Sequence, residues 1–118
     1  MGSFAGLVPT PWLSVYSASK AFLSTWSQAL GMEVAKDGII VEHLNTYFVV
    51  SAMSKIKRAS LLIPTSKDYV TSALAKIGVS CGANIPFTST PYAMHGLANW
   101  AINNLFSRKF WITQNYSE

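Results

Sequence analysis

An α/β fold follows from three features of this 118-residue chain: a long helix-periodic segment, a glycine-terminated end to that segment, and an apolar strand-like run directly after it. From Leu13 to Ala35 the apolar residues Val15, Ala18, Phe22, Trp26, Ala29, Leu30 and Val34 recur at threes and fours, which gathers them on one helix face. The spacing predicts a helix over 13–36. Lys36-Asp37-Gly38 closes it, with a cation in the last turn and a glycine suited to the left-handed cap. Ile39-Ile40-Val41-Glu42-His43-Leu44 then reads as a mostly buried parallel strand, and a strand is expected over 39–48. Helix, glycine and strand in that order form the rhythm of α/β proteins.

The remaining elements follow from punctuation. After Ser51 the run to Ser60 predicts a short helix, with Ser51 as its cap, inside a region bounded by Pro64. Pro64-Thr65 breaks the chain, and Ser66 caps a helix over 66–77 that Gly78 closes. Ser80 to Asn84 is a loop of small residues, and Pro86 to Pro91 is extended or irregular. A last helix is expected over 92–107, leading into Arg108-Lys109-Phe110-Trp111-Ile112. With no repeat and no low-complexity linker, residues 1–118 read as one unit.

Composition narrows the partners. Half of the residues are hydrophobic and only 12% are charged, against roughly 25% in ordinary soluble domains, so much of the surface is expected to meet protein or lipid. The net charge of +4 contains one tight basic cluster, Lys55, Lys57 and Arg58, too little for a nucleic-acid stripe. That cluster is either a solvated helix end or a contact for an anionic partner. Cys81 is the single cysteine, so neither an intrachain disulfide nor a thiolate metal cluster can form, and no metal site is expected. His43 and His95 lack sequence neighbours that would make them bases or ligands and read as structural. The start carries no cationic and apolar leader, and no uninterrupted apolar run is long enough for a membrane span. Trp100, Phe106, Phe110 and Trp111 beside Arg108 and Lys109 fit an interfacial membrane anchor as well as a helix packed on its own domain.

The chemistry-bearing motif is Tyr16-x-x-x-Lys20, with Ser3 thirteen residues before the tyrosine. On a helix this spacing puts phenol and ammonium on one face, about one turn apart. A free phenol holds its proton to about pH 10, and a fixed cation nearby favours the phenolate. Ser3, a turn, Tyr16-x-x-x-Lys20 and a long helix together resemble the active-site segment of the short-chain dehydrogenases/reductases. Within them, Gly2 to Lys20 and Val49-Val50-Ser51-Ala52-Met53-Ser54-Lys55-Ile56 resemble the very-long-chain 3-oxoacyl-CoA reductases in a fungal-like version.

That resemblance implies the C-terminal part of a Rossmann-like doubly wound parallel sheet, helix-rich as it stands. It implies NADPH as cofactor and a 3-oxoacyl-CoA as substrate, reduced to the 3-hydroxyacyl-CoA during fatty-acid elongation. Ser3 would polarise the 3-oxo group, Tyr16 would deliver the proton, and Lys20 would favour the phenolate and bind the nicotinamide ribose. Where the superfamily carries Pro-Gly-x-x-x-Thr, this chain reads Thr46-Tyr47-Phe48-Val49-Val50-Ser51, as the long-chain reductases do. There Val49 would offer its backbone, and Ser51 its hydroxyl, to the nicotinamide. Met53 and Ile56 would face an acyl chain or the core, and the basic cluster would meet a CoA phosphate. A homodimer through helix 13–36, an endoplasmic reticulum membrane location and elongation-complex partners are further implications. No Gly-x-x-x-Gly-x-Gly or Gly-x-Gly-x-x-Gly occurs, and the family's further catalytic Asn is expected upstream of Met1. Two classes therefore stand: the catalytic C-terminal portion of a reductase, or a non-catalytic fragment of low stability that associates with a relative or a membrane.

Overall fold

The computed structural model describes residues 1–105 and 107–116. Its frame is three short extended segments running in parallel. Strand β1, His43–Leu44, pairs with β2, Thr88–Ser89, through His43 N–H to Phe87 O and Asn45 N–H to Ser89 O, both 2.8 Å. Alternate backbone groups of a strand point to opposite sides, so the carbonyls of Leu44 and Thr46 face the other way. There they accept from Gly2 N–H at 2.8 Å and Phe4 N–H at 3.2 Å. Residues 2–4 thus lie along β1 as a third parallel segment, with β1 in the middle.

Two crossovers join these segments. Helix α1, Ser14–Val34, connects the first to β1, and α2, Ser66–Ala75, lies in the connection from β1 to β2. A short 3₁₀ turn, Phe4–Gly6, precedes α1. At its other end a second turn, Ala35–Asp37, leads to Gly38 at φ 73°, the left-handed cap that its sequence foretells. Helices α3, Ala93–Asn104, and α4, Arg108–Tyr116, follow β2.

The apolar stripe of α1 faces outward. Val15 is 82% exposed, Phe22 64% and Trp26 50%, whereas Ser17, Ser27 and Gly31 are buried. Small residues face inward because backbones meet there. A Cβ on Gly6 would sit 2.8 Å from the Lys20 carbonyl carbon, and one on Gly31 would sit 2.6 Å from the Phe87 ring.

Several expected elements differ. The strand expected over 39–48 is paired only from His43 to Thr46, and Ile39 and Ile40 are exposed, not buried. The flanking segments offer partners only from residue 43 onward, because the chain before β2 turns at Phe87, whose φ is 55°. The short helix expected from Ser51 stops as a single turn. Ser54 N–H does reach Ser51 Oγ at 3.2 Å, as a cap would have it, but Lys55 then takes φ 57°, outside the helical region. Thr65, not Ser66, caps α2: its hydroxyl oxygen accepts Asp68 N–H at 3.1 Å while its proton goes to Asp68 Oδ2 at 2.7 Å. The helix expected over 92–107 is present as α3, Ala93–Asn104, and a further helix, α4, follows from Arg108, where the sequence predicts none. Phe106, part of the expected anchor pattern, lies outside the described residues. Among the described residues no helix is long and apolar enough to cross a membrane.

Candidate active site

In parallel α/β sheets ligands bind beyond the carboxyl ends of the strands. Here that edge is where residues 2–4 run into the turn at Phe4–Gly6 and where β1 runs into Thr46 and Tyr47. The connection from the first segment reaches α1 at Ser14, and Tyr16 lies in the first turn of that helix. Thr10 N–H donates to Ser17 Oγ at 3.2 Å, fastening the intervening loop to the helix.

Tyr16 and Lys20 are brought together. The Lys20 ammonium sits 5.5 Å from the centre of the Tyr16 ring and donates to the Met1 carbonyl at 3.2 Å. One cation is thereby held between the phenol ring and the backbone of the first extended segment, at a cation–π distance. Gly6 packed against Lys20 fixes the spacing between turn and helix. Ser3 is extended, and its Oγ accepts Ala5 N–H at 3.2 Å as the cap of the turn, leaving its own proton to donate. Among the described residues no hydrogen bond joins Ser3, Val49 or Ser51 to Tyr16 or Lys20.

The segment after β1 is held from two sides. Thr46 Oγ1 and the Tyr69 hydroxyl of α2 share a hydrogen bond of 2.6 Å, and burial pushes the Tyr69 phenol up, keeping it neutral. Val49 gives its carbonyl to Ser54 Oγ at 2.7 Å, and its N–H has no protein partner among the described residues. Ser51 is exposed, its hydroxyl in a cycle with Ser54. His43, beneath Gly2 and buried, is pushed down chiefly by burial and further by the nearby Lys20 ammonium.

His95, which the sequence presents as structural, and Ser54 both hold this segment. His95 is fully buried and bridges Tyr47 N–H, at 3.4 Å to Nδ1, and the Leu62 carbonyl, at 3.1 Å to Nε2. A signal was present: Tyr92 and His95 stand three apart where α3 begins, which places them on one helix face.

Two clefts are lined elsewhere, one by Ile40 to Glu42 with Ala83 to Thr88, the other by Asn45, Asn84, Asn99 and Asn103 among others, and neither touches Tyr16 or Lys20. Among the described residues no group of three His, Cys, Asp or Glu could hold a metal. The residues at the edge fit the nicotinamide end of a dinucleotide: an ammonium beside a phenol, the unpartnered Val49 N–H and an exposed hydroxyl at Ser51. The sequence contains no glycine-rich turn for the pyrophosphate.

The family model for short chain dehydrogenases matches residues 1–61. Relatives named very-long-chain 3-oxoacyl-CoA reductase are similar over most of the chain. The one from Coprinopsis cinerea is 60% identical over 105 residues, covering 86% of this chain and 31% of the relative. That from Schizosaccharomyces pombe is 53% identical, covering 89% and 31%, and that from Mycosarcoma maydis is 49% identical, covering 100% and 34%. The chain spans about a third of the length of these curated relatives. No solved structure matches it.

Proposed function

Because the chain belongs to the short-chain dehydrogenase family, we propose that it carries the proton-delivery half of an NADPH-dependent 3-oxoacyl-CoA reductase acting in very-long-chain fatty-acid elongation. The family's oxidoreductases use nicotinamide cofactors; NADPH as the particular one rests on likeness to the reductases named above. The observation that carries the reading is the Lys20 ammonium, held over the Tyr16 ring by its bond to Met1 O at the start of the extended segment that carries Ser3.

When bound, the dinucleotide supplies the hydride that reduces the 3-oxo carbon. Ser3 donates its hydroxyl proton as a hydrogen bond to the 3-oxo oxygen, and Tyr16 transfers its phenolic proton to that oxygen as negative charge develops. Lys20 stabilises the phenolate left behind and binds the ribose hydroxyls. Val49 and Ser51 orient the carboxamide. Lys55, Lys57 and Arg58, all exposed on the following loop, meet the phosphates of CoA, and exposed Met53 meets the acyl chain with Ile56 behind it.

NADPH fluorescence titration, followed by oxidation of NADPH with a 3-oxoacyl-CoA, tests this. Turnover lost by about 100-fold or more in Tyr16→Phe supports it; binding and turnover unaffected by Tyr16→Phe would refute it. A second reading, a non-catalytic association piece, is favoured by the exposed apolar face of α1. In that reading α1 joins two copies as a homodimer, and the chain neither binds nor oxidises NADPH.

Both readings place the protein at the endoplasmic reticulum membrane with other elongation proteins. Low charge content and the exposed apolar side chains support this. Co-sedimentation with endoplasmic reticulum markers is the expected result, and recovery in the soluble fraction would refute it.

A further inference from the structure

We propose that His95 is a positioning residue that seats the loop 51–63 against the segment 46–50. Calling these the substrate side and the cofactor side rests on the function proposed above; the contact itself does not. The loop leaves and returns through one neck, where Val50 N–H donates to Pro64 O at 3.0 Å and the Ser66 hydroxyl donates to Val50 O at 2.7 Å. Its outer part, with Met53, Lys55, Lys57 and Arg58, is exposed. The returning limb is held by α3: the Tyr92 hydroxyl donates to Leu61 O at 3.0 Å, and His95 Nε2 lies 3.1 Å from Leu62 O.

His95 reaches both limbs of the chain that flank the neck. Its Nδ1 faces the Tyr47 N–H at 3.4 Å. An amide N–H only donates and a carbonyl only accepts, so the two partners together require a neutral ring protonated on Nε2. The ring itself is 0% exposed and is enclosed by Tyr92 at 4.9 Å, Tyr69 at 5.7 Å and Tyr47 at 6.0 Å between ring centres. The ionisable groups packed on it from the post-β1 segment, α2 and the start of α3 are these three phenols. No carboxylate is among them to support an imidazolium. A proton on Nδ1 would oppose the Tyr47 N–H and release the incoming limb. Burial pushes His95 down, against an opposing pull from the backbone at Leu62 and Phe48, so the seat holds at neutral pH and loosens in acid.

Limited trypsin digestion of the chain reads this without any ligand, so failure of the cofactor assignment leaves the outcome unchanged. Cleavage after Lys55, Lys57 and Arg58 is measured as a ratio to cleavage after Lys20 and Lys36, which reports global opening of α1 and its end. His95→Ala is expected to raise that ratio about tenfold. His95→Gln, whose amide supplies one donor and one acceptor, should return it toward the parent value. Acidification should raise the ratio in the parent and not in His95→Gln. Equal acceleration at all sites would make His95 a residue of the general fold and overturn the proposal. An unchanged ratio, or equal loosening by Ala and Gln, overturns it as well.

Discussion

The inward side of α1 is Ser17, Ser27 and Gly31, and its outward side is Val15, Phe22, Trp26 and Met32. The same reversal runs through the chain. Among the described residues the buried hydrophobic side chains are Phe4, Tyr69 and Ala73, while His43, Asn45, Thr46, Ser89, Thr90, His95 and Asn99 are buried polar groups. Covering a Phe or Leu side chain contributes about 1.5–3 kcal/mol, so a chain that leaves Phe22, Trp26 and Met32 in water forgoes much of its own stability. What it gains is close approach: small inward residues let α1 lie against the turn and Phe87, and this places Lys20 beside Met1. The interior sets where Lys20 lies, and the exterior leaves its apolar side chains uncovered.

The sharpest way to break that division is to enlarge an inward glycine. In Gly6→Ala the new methyl would meet the Lys20 backbone at 2.8 Å, and backbone cannot swing aside as a side chain can. A loss of about 1–3 kcal/mol is expected, the range for overpacking, read as a lower urea midpoint. Gly31→Ala meets the Phe87 ring instead and should lose less. Equal stability of the Gly6 variant and the parent would show that the close approach does not hold the helix.

Next in size is the polar interior. Thr46→Val removes the 2.6 Å partner of the buried Tyr69 hydroxyl, leaving that group unsatisfied at a cost of about 1–3 kcal/mol. Adding Tyr69→Phe removes the orphan and should recover part of the loss, an outcome that a double-mutant cycle in urea measures. If the double variant is no better than Thr46→Val, the hydroxyl was not what the substitution stranded.

Acid acts on the same interior more gently. His43 and His95 both titrate below the usual 6.5 in the folded chain because burial disfavours their charged forms. The unfolded chain therefore binds more protons between the lowered values and 6.5. Stability from these two groups is complete above about pH 6.5 and declines as pH falls from there, levelling off below the folded values. Urea midpoints should drop between pH 7.5 and pH 5, and the drop should shrink in His95→Gln. A midpoint that rises on acidification would contradict the burial of both rings.

How much of this was legible depended on whether a signal was local. The nearness of Tyr16 and Lys20 is legible because four residues of helix bring them together with no help from the rest of the fold, and the structure places the ammonium over the ring. Gly38 was found for the same reason, since its left-handed φ is a property of one residue. The extent of β1 was not, because Ile39 to Val41 are as apolar as a buried strand but pairing depends on residues 2–4 and 87–90, far away in sequence. The turn after Ser51 shows local signals in conflict: a correct cap at Ser51, then Lys55 leaving the helical region. Periodicity located the apolar face of α1 but carries no information about which way it points. His95 reads as structural from the sequence, but what it joins does not show there, because its partners, Tyr47 N–H and Leu62 O, are backbone groups, which no residue pattern displays.

The smallest expected effect on stability is the most informative about the exterior. Phe22 is 64% exposed and lies on the stripe with Val15 and Trp26, so Phe22→Glu removes little that the single chain buries. Its urea midpoint should match the parent within about 0.5 kcal/mol, the usual range for surface changes. Self-association should respond strongly, because a carboxylate at the centre of an apolar contact must be desolvated against hydrocarbon. In sedimentation, the parent should shift toward a dimer with rising concentration and the variant should stay monomeric. Lys36→Glu, exposed beyond the end of the stripe, controls for charge alone and should leave association intact. A parent that stays monomeric at every concentration would remove the homodimer and assign this face to another chain. A large stability loss in Phe22→Glu would instead mean that the outward face is already covered within the single chain, and the contrast between the two sides of α1 would fall.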